Sequence, residues 1–183
     1  AGIAGGCAVM PCKIADSGGS MYFSYIQDGL YWAADNGADV INMSFGSYAE
    51  SLLLEDTLAD AYGQAVLVAA AGNYGLTPKA TVPYYPASYS FVLGVGATNV
   101  GCANPPTCTI IDEFRADFSN HGVNADVGAP GVSIYSTFPD SDYASMAGTS
   151  MATPIVSGQA GLLLSQNPGW SKEMVRGQIL QTT

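Results

Sequence analysis

Positive charge is scarce in this sequence: five Lys and Arg stand against fifteen Asp and Glu, a formal net charge of −10 at pH 7. With so little to neutralise phosphates, the chain is not expected to bind nucleic acid. Charged residues of either sign make up only 11% of the chain, so the acidity reads as a solubility device, with a cation site as a further use. Long apolar runs are missing too. The longest, such as Ala65 to Ala71, fall far short of the roughly 20 residues a membrane span needs. They end in glycine and read as buried strands, and no membrane association is expected. The opening Ala1-Gly2-Ile3-Ala4-Gly5-Gly6 has neither the basic region nor the apolar core of a signal peptide, and reads as a chain entered in mid-domain. Imidazole is nearly absent: His121 is the one histidine.

The four cysteines have no metal-type spacing. Cys7 and Cys12 sit on an apparent strand, where five residues at about 3.3 Å each hold their sulfurs some 16 Å apart, too far to bridge. They are expected to be buried free thiols. Cys102 and Cys108 bracket the tight polar loop Ala103-Asn104-Pro105-Pro106-Thr107; bridged and free states both fit it. A bridge there implies an oxidising, extracellular compartment.

What is present is alternation. Cys7 to Ile14 is a short apolar run bounded by turn residues, expected to be a buried strand. Tyr22 to Asn36 carries Tyr22, Ile26, Leu30 and Ala33 near helical spacing, and Gly37 suits the helix end. Ala38 to Ser44 reads as a strand, Leu52 to Tyr62 as a helix, Ala65 to Ala70 as a strand, and Phe91 to Thr98 as another. Short strand candidates lie at Asp126-Val127 and Val132 to Ser136, and helices begin near Ser150 and Ser171. Strand, helix, strand, helix, strand is the signature of βαβ units in a mostly parallel sheet. No repeat or linker divides the chain, so residues 1–183 are read as one α/β unit. Ligands of such sheets gather beyond the carboxyl ends of the strands, where Ser44-Phe45-Gly46 and Gly72-Asn73 fall.

Gly148-Thr149-Ser150-Met151-Ala152-Thr153-Pro154 is the most informative stretch. Ser150 follows a glycine and opens a helix of small residues, Ala152, Ser157, Gly158, Ala160 and Gly161, which allow deep packing against a sheet. The free N–H groups and partial positive charge of that helix start favour an oxyanion. On spacing alone, Ser150 is as readily a helix cap as a nucleophile.

Gly148 to Gly158, GTSMATPIVSG, resembles the nucleophile motif of the subtilisin family of serine proteases. The likeness continues through Ala129-Pro130-Gly131-Val132-Ser133-Ile134, Tyr85-Pro86-Ala87, Ala69-Ala70-Ala71-Gly72-Asn73 and Asn36 to Ser44, in the family's order. It implies a three-layer α/β/α fold and peptide hydrolysis through an acyl-enzyme. Ser150 matches the nucleophile, and Asn73 matches the oxyanion-hole amide. Gly18-Gly19-Ser20 and Ser44-Phe45-Gly46 match segments that pair with a substrate backbone. Ala70-Ala71-Gly72 and Ser44-Phe45-Gly46 would wall the primary specificity pocket. Tyr84 falls near its base, where its ring is expected to disfavour the largest aromatic side chains. Tyr85-Pro86 matches a cis peptide, and Asp126, with the carbonyls of Ser90 and Val92, matches a Ca²⁺ site of some members. The implied partners are polypeptide substrates, with a propeptide or inhibitor as further possibilities, and the implied setting is secreted.

The likeness also breaks. The family's aspartate and histidine blocks precede the segment matched here and do not occur in it. The chain is therefore read as a partial, N-terminally truncated peptidase domain, expected to be inactive alone because Ser150 would remain a weak nucleophile. His121 does not match the catalytic base and is expected in a surface loop. Ala147 and Ile155 stand where asparagine and histidine are common, the stretch from Thr98 to Phe118 is long, and the chain stops short of the family's last elements. The alternatives are a non-catalytic peptide-binding domain and, less well matched, an ester hydrolase, which expects Gly-x-Ser-x-Gly around the serine.

Overall fold

A computed structural model describes residues 2–102 and 111–182. Its helices follow the apolar periodicity. In α1 (Phe23–Asp35), Ile26, Leu30, Ala33 and Ala34 form the buried stripe. In α2 (Leu52–Tyr62), Leu54, Thr57, Leu58 and Ala61 do so, and the Ser51 hydroxyl caps the first turn by accepting from Leu54 N at 3.3 Å.

The strands between them build the expected parallel sheet. β1 (Val40–Met43) pairs with β2 (Val66–Ala70), β2 with β3 (Leu93–Cys102), and the first half of β3 leads into pairing with β5 (Val127–Pro130), all parallel. The antiparallel β4 (Ile111–Arg115) joins the far end of β3, from Thr98↔Arg115 to Cys102↔Ile111. This arm is what the long stretch before Phe118 becomes. The Cys102–Cys108 pairing lies outside the described residues. A separate hairpin, β6 (Ile134–Phe138) and β7 (Asp142–Met146), extends the single strand expected near Val132 to Ser136.

β2 is buried on both faces, and alternation sorts its side chains between two cores. Leu67 and Ala69 join α1 and α2. Val66 and Val68 join α3 (Thr149–Gln166) and α4 (Lys172–Gln181) through Ala152, Val156, Ala160, Val175 and Ile179. Helices on both faces of a parallel sheet make the expected three-layer arrangement.

One expected strand is not formed. Residues 7–14 make no ladder with β1, Val9 is 86% exposed, and Cys7 and Cys12 are free but exposed instead of buried. A strand needs a neighbouring backbone within about 4.8 Å. Here a cavity of about 950 Å³ lies between this segment and β1, lined by Cys7, Met10, Val40, Asn42 and Gly158 among others. Apolar composition identified a segment suited to burial but could not supply its partner.

Candidate active site

β1, β2 and α3 bring the site together. The ends of β1 and β2 lie side by side, with Met43 opposite Ala69, so the turns Ser44-Phe45-Gly46 and Ala71-Gly72-Asn73 emerge on one rim. α3 packs on β1, β2 and β3 and points its N-terminus at that rim.

Ser150 is the second residue of α3 and is half-buried. Its hydroxyl donates to the Ser44 carbonyl at 3.0 Å, and the Ser44 hydroxyl donates to the Ser150 carbonyl at 2.9 Å. This reciprocal pair has a local cause. Pro154 lies inside the helix and has no N–H, so the Ser150 carbonyl lacks its usual donor four residues on. The Ser44 hydroxyl takes that place. It is itself held by Asn42 Nδ2 at 3.0 Å, and Asn42 Oδ1 accepts from the Ser157 hydroxyl at 2.9 Å, about two turns beyond Ser150 on α3. The proline of the motif thus ties the nucleophile's helix to the end of β1.

Asn73 faces the same helix start. Its Oδ1 accepts from Thr149 N at 2.9 Å and from the Thr149 hydroxyl at 3.0 Å, and that hydroxyl accepts from Gly72 N at 3.2 Å. Thr149 is fully buried. With Oδ1 occupied by these two donors, Nδ2 is turned away from them, close to Gly148. Among the described residues, neither Asn73 Nδ2 nor Ser150 N has a hydrogen-bond partner on the chain. Two free donors at the start of a helix are what a developing oxyanion requires. Ser150 and Asn73, predicted from sequence, meet here; Thr149 and Asn42, which orient them, were not singled out. The threonine in the motif and the asparagine two residues before Ser44 were the available signals.

Of the other expected site residues, Ser44, Phe45 and Gly46 directly follow β1, while Ala70 ends β2 and Ala71 and Gly72 follow it. Tyr84 lies between them: its hydroxyl donates to the Gly46 carbonyl at 2.7 Å. Burial pushes the Tyr84 phenol above its ordinary value, with Tyr74 and Tyr48 adding to the effect. Gly18 and Gly19 belong to a separate exposed turn closed on Asp16, whose Oδ1 accepts from Gly18 N at 2.8 Å and Ser20 N at 2.9 Å. The Tyr85-Pro86 bond is cis.

His121 lies in a loop, as expected, and is half-buried there; its backbone N–H donates to the Ala80 carbonyl at 3.1 Å. Its Nδ1 is buried without a partner, and it makes no hydrogen bond to Ser150. The Asp126 locus fits a cation poorly. Asp126 Oδ2 accepts from Gly94 N at 2.9 Å, and the Ser90 carbonyl accepts from Arg176 Nη2 at 2.7 Å. A guanidinium already stands on one oxygen of the set that includes Val92.

Comparison with known proteins bears on the family and the fold. The subtilase family profile matches residues 1–183. The chain is 41% identical over 182 residues to subtilisin DY of Bacillus licheniformis and 42% identical to a subtilisin of Bacillus pumilus. In each case it covers 99% of itself and 62% of the relative, so it spans less than two thirds of their length. Among solved structures it resembles the S41 psychrophilic protease, with a TM-score of 0.80 and 31% identity over 92% of this chain and 58% of that one. It also resembles a cold-adapted subtilisin-like serine proteinase, with a TM-score of 0.75 and 32% identity over 90% and 56% of the two chains. Family profile, relatives and architecture agree, and the chain belongs to the subtilase family.

Proposed function

We propose that this chain supplies the nucleophile, oxyanion hole and substrate walls of a serine endopeptidase. The observation that carries the reading is the convergence of the Ser150 hydroxyl with two free donors, Ser150 N–H and Asn73 Nδ2, at one helix start. Ser150 attacks the scissile carbonyl, and the two donors hold the negative charge of the tetrahedral intermediate until the amine leaves. A peptide backbone pairs with Ser44-Phe45-Gly46 as an added strand.

The base is supplied from outside these 183 residues. His121 does not reach Ser150, whose proton rests on the Ser44 carbonyl, and a carbonyl cannot accept it as a base does. The isolated chain is therefore inactive. A secreted setting fits pairing of Cys102 with Cys108. A non-catalytic peptide-binding role is the second reading, favoured by that same resting hydrogen bond.

The test is labelling by a fluorophosphonate. The isolated chain should label poorly. The whole protein, with its histidine and aspartate segments, should label at Ser150, and Ser150→Ala should abolish the label. Asn73→Ala should slow peptide hydrolysis about 10²–10³-fold, the range known for this donor in a subtilisin. Whole protein that binds peptides yet never labels would establish the binding role instead.

A further inference from the structure

We propose, resting on the peptidase reading above, that the primary specificity pocket is closed by Tyr84, so that only glycine, alanine or serine fits immediately before the scissile bond.

The pocket is a slot between two backbone walls, and its width is set by residues without side chains. A Cβ built on Gly46 would lie 2.4 Å from Tyr84 Cε1 and 3.0 Å from Cδ1; one built on Gly72 would lie 3.1 Å from Cδ1. The Tyr84 ring therefore touches both walls at once. Gly46 must be glycine for the ring to be there, a Cβ on Gly72 would press on it, and Gly72 also has φ 100, which disfavours a side chain. A slot of one ring's width already holds a ring.

That ring is not free to leave. Its hydroxyl donates to the Gly46 carbonyl at 2.7 Å, bolting it to one wall. Its backbone N–H lies 2.7 Å from Asn124 Oδ1 and 2.9 Å from the Ser88 hydroxyl, and Asn124 is fully buried. Two further rings hold its outer side: Tyr48 meets it edge-on at 5.0 Å between centroids and Tyr74 at 6.2 Å, while Tyr48 and Tyr74 pack on each other at 5.2 Å. Tyr74 directly follows Asn73 in the chain, so the cluster is joined to the turn that carries the proposed oxyanion donor. Swinging Tyr84 out would break the hydroxyl bond and these ring contacts together. A leucine or phenylalanine side chain has to displace all of them, whereas a methyl or hydroxymethyl group rests on the ring's edge.

The experiment compares peptide p-nitroanilides that differ only in the residue before the anilide, hydrolysed by the whole enzyme. The alanine substrate should exceed the phenylalanine one at least about 100-fold in kcat/KM, the scale a filled pocket imposes. Tyr84→Gly should reverse that ratio, and Tyr84→Phe, which keeps the ring but not its hydroxyl, should leave alanine preferred. Wild-type enzyme that cleaves phenylalanine as well as alanine overturns the proposal, whatever the variants do. Failure to cleave any substrate overturns it only through the peptidase reading, and absence of fluorophosphonate labelling identifies that case.

Discussion

Replacing Thr149 by valine tests the geometry that aims Asn73. The substitution keeps side-chain volume and removes one hydroxyl, which donates to Asn73 Oδ1 at 3.0 Å and accepts from Gly72 N at 3.2 Å. Asn73 Oδ1 is partly compensated, because Thr149 N still donates to it at 2.9 Å. Gly72 N is not: the residue is buried, and its N–H loses its partner. An orphaned buried donor costs about 1–3 kcal/mol. For a domain of this size each kcal/mol shifts melting by about 2–4 °C, so Thr149→Val should melt about 2–12 °C lower. Thr149→Ser keeps the hydroxyl and loses one methyl, about 0.8 kcal/mol, so it should fall less. Calorimetry or circular dichroism on the three proteins reads this directly. In the whole enzyme, valine should also slow peptide hydrolysis, by less than the about 10²–10³-fold caused by losing the amide itself. A valine variant that melts with the parent, or a serine variant that falls as far as valine, would refute the assignment of this hydroxyl.

Alkaline pH should weaken the fold. Burial raises the phenols of Tyr84, Tyr85 and Tyr89 above 10.0, so their contribution is complete below that pH and is lost as pH climbs through the folded-state values. Urea midpoints should decline above about pH 10, and midpoints that stay level there would contradict it. Calcium should matter little at Asp126 while Arg176 Nη2 holds the Ser90 carbonyl. Melting should then be the same with chelator as with added Ca²⁺; a calcium-dependent rise that Asp126→Ala abolishes would show that the ion displaces the guanidinium.

By itself the sequence determined what local pattern and motif chemistry can carry. Helical spacing marked α1 and α2, and fully apolar runs marked β2, because those periods follow from backbone geometry alone. The Gly-Thr-Ser-Met-Ala stretch and the Gly-Asn turn singled out Ser150 and Asn73 only through their likeness to a family motif, since spacing alone fits a helix cap equally well. Tertiary structure alone decided the rest. Ser44 and Ser150 are 106 residues apart, Asn73 and Thr149 are 76 apart, and Gly46 and Tyr84 are 38 apart. No local pattern registers which donor a proline-freed carbonyl will find, or which slot a tyrosine will fill. The residues 7–14 show the same limit from the other side. Their apolar character is plain in the sequence, but burial is a property of two surfaces, and only the fold says whether the second is there.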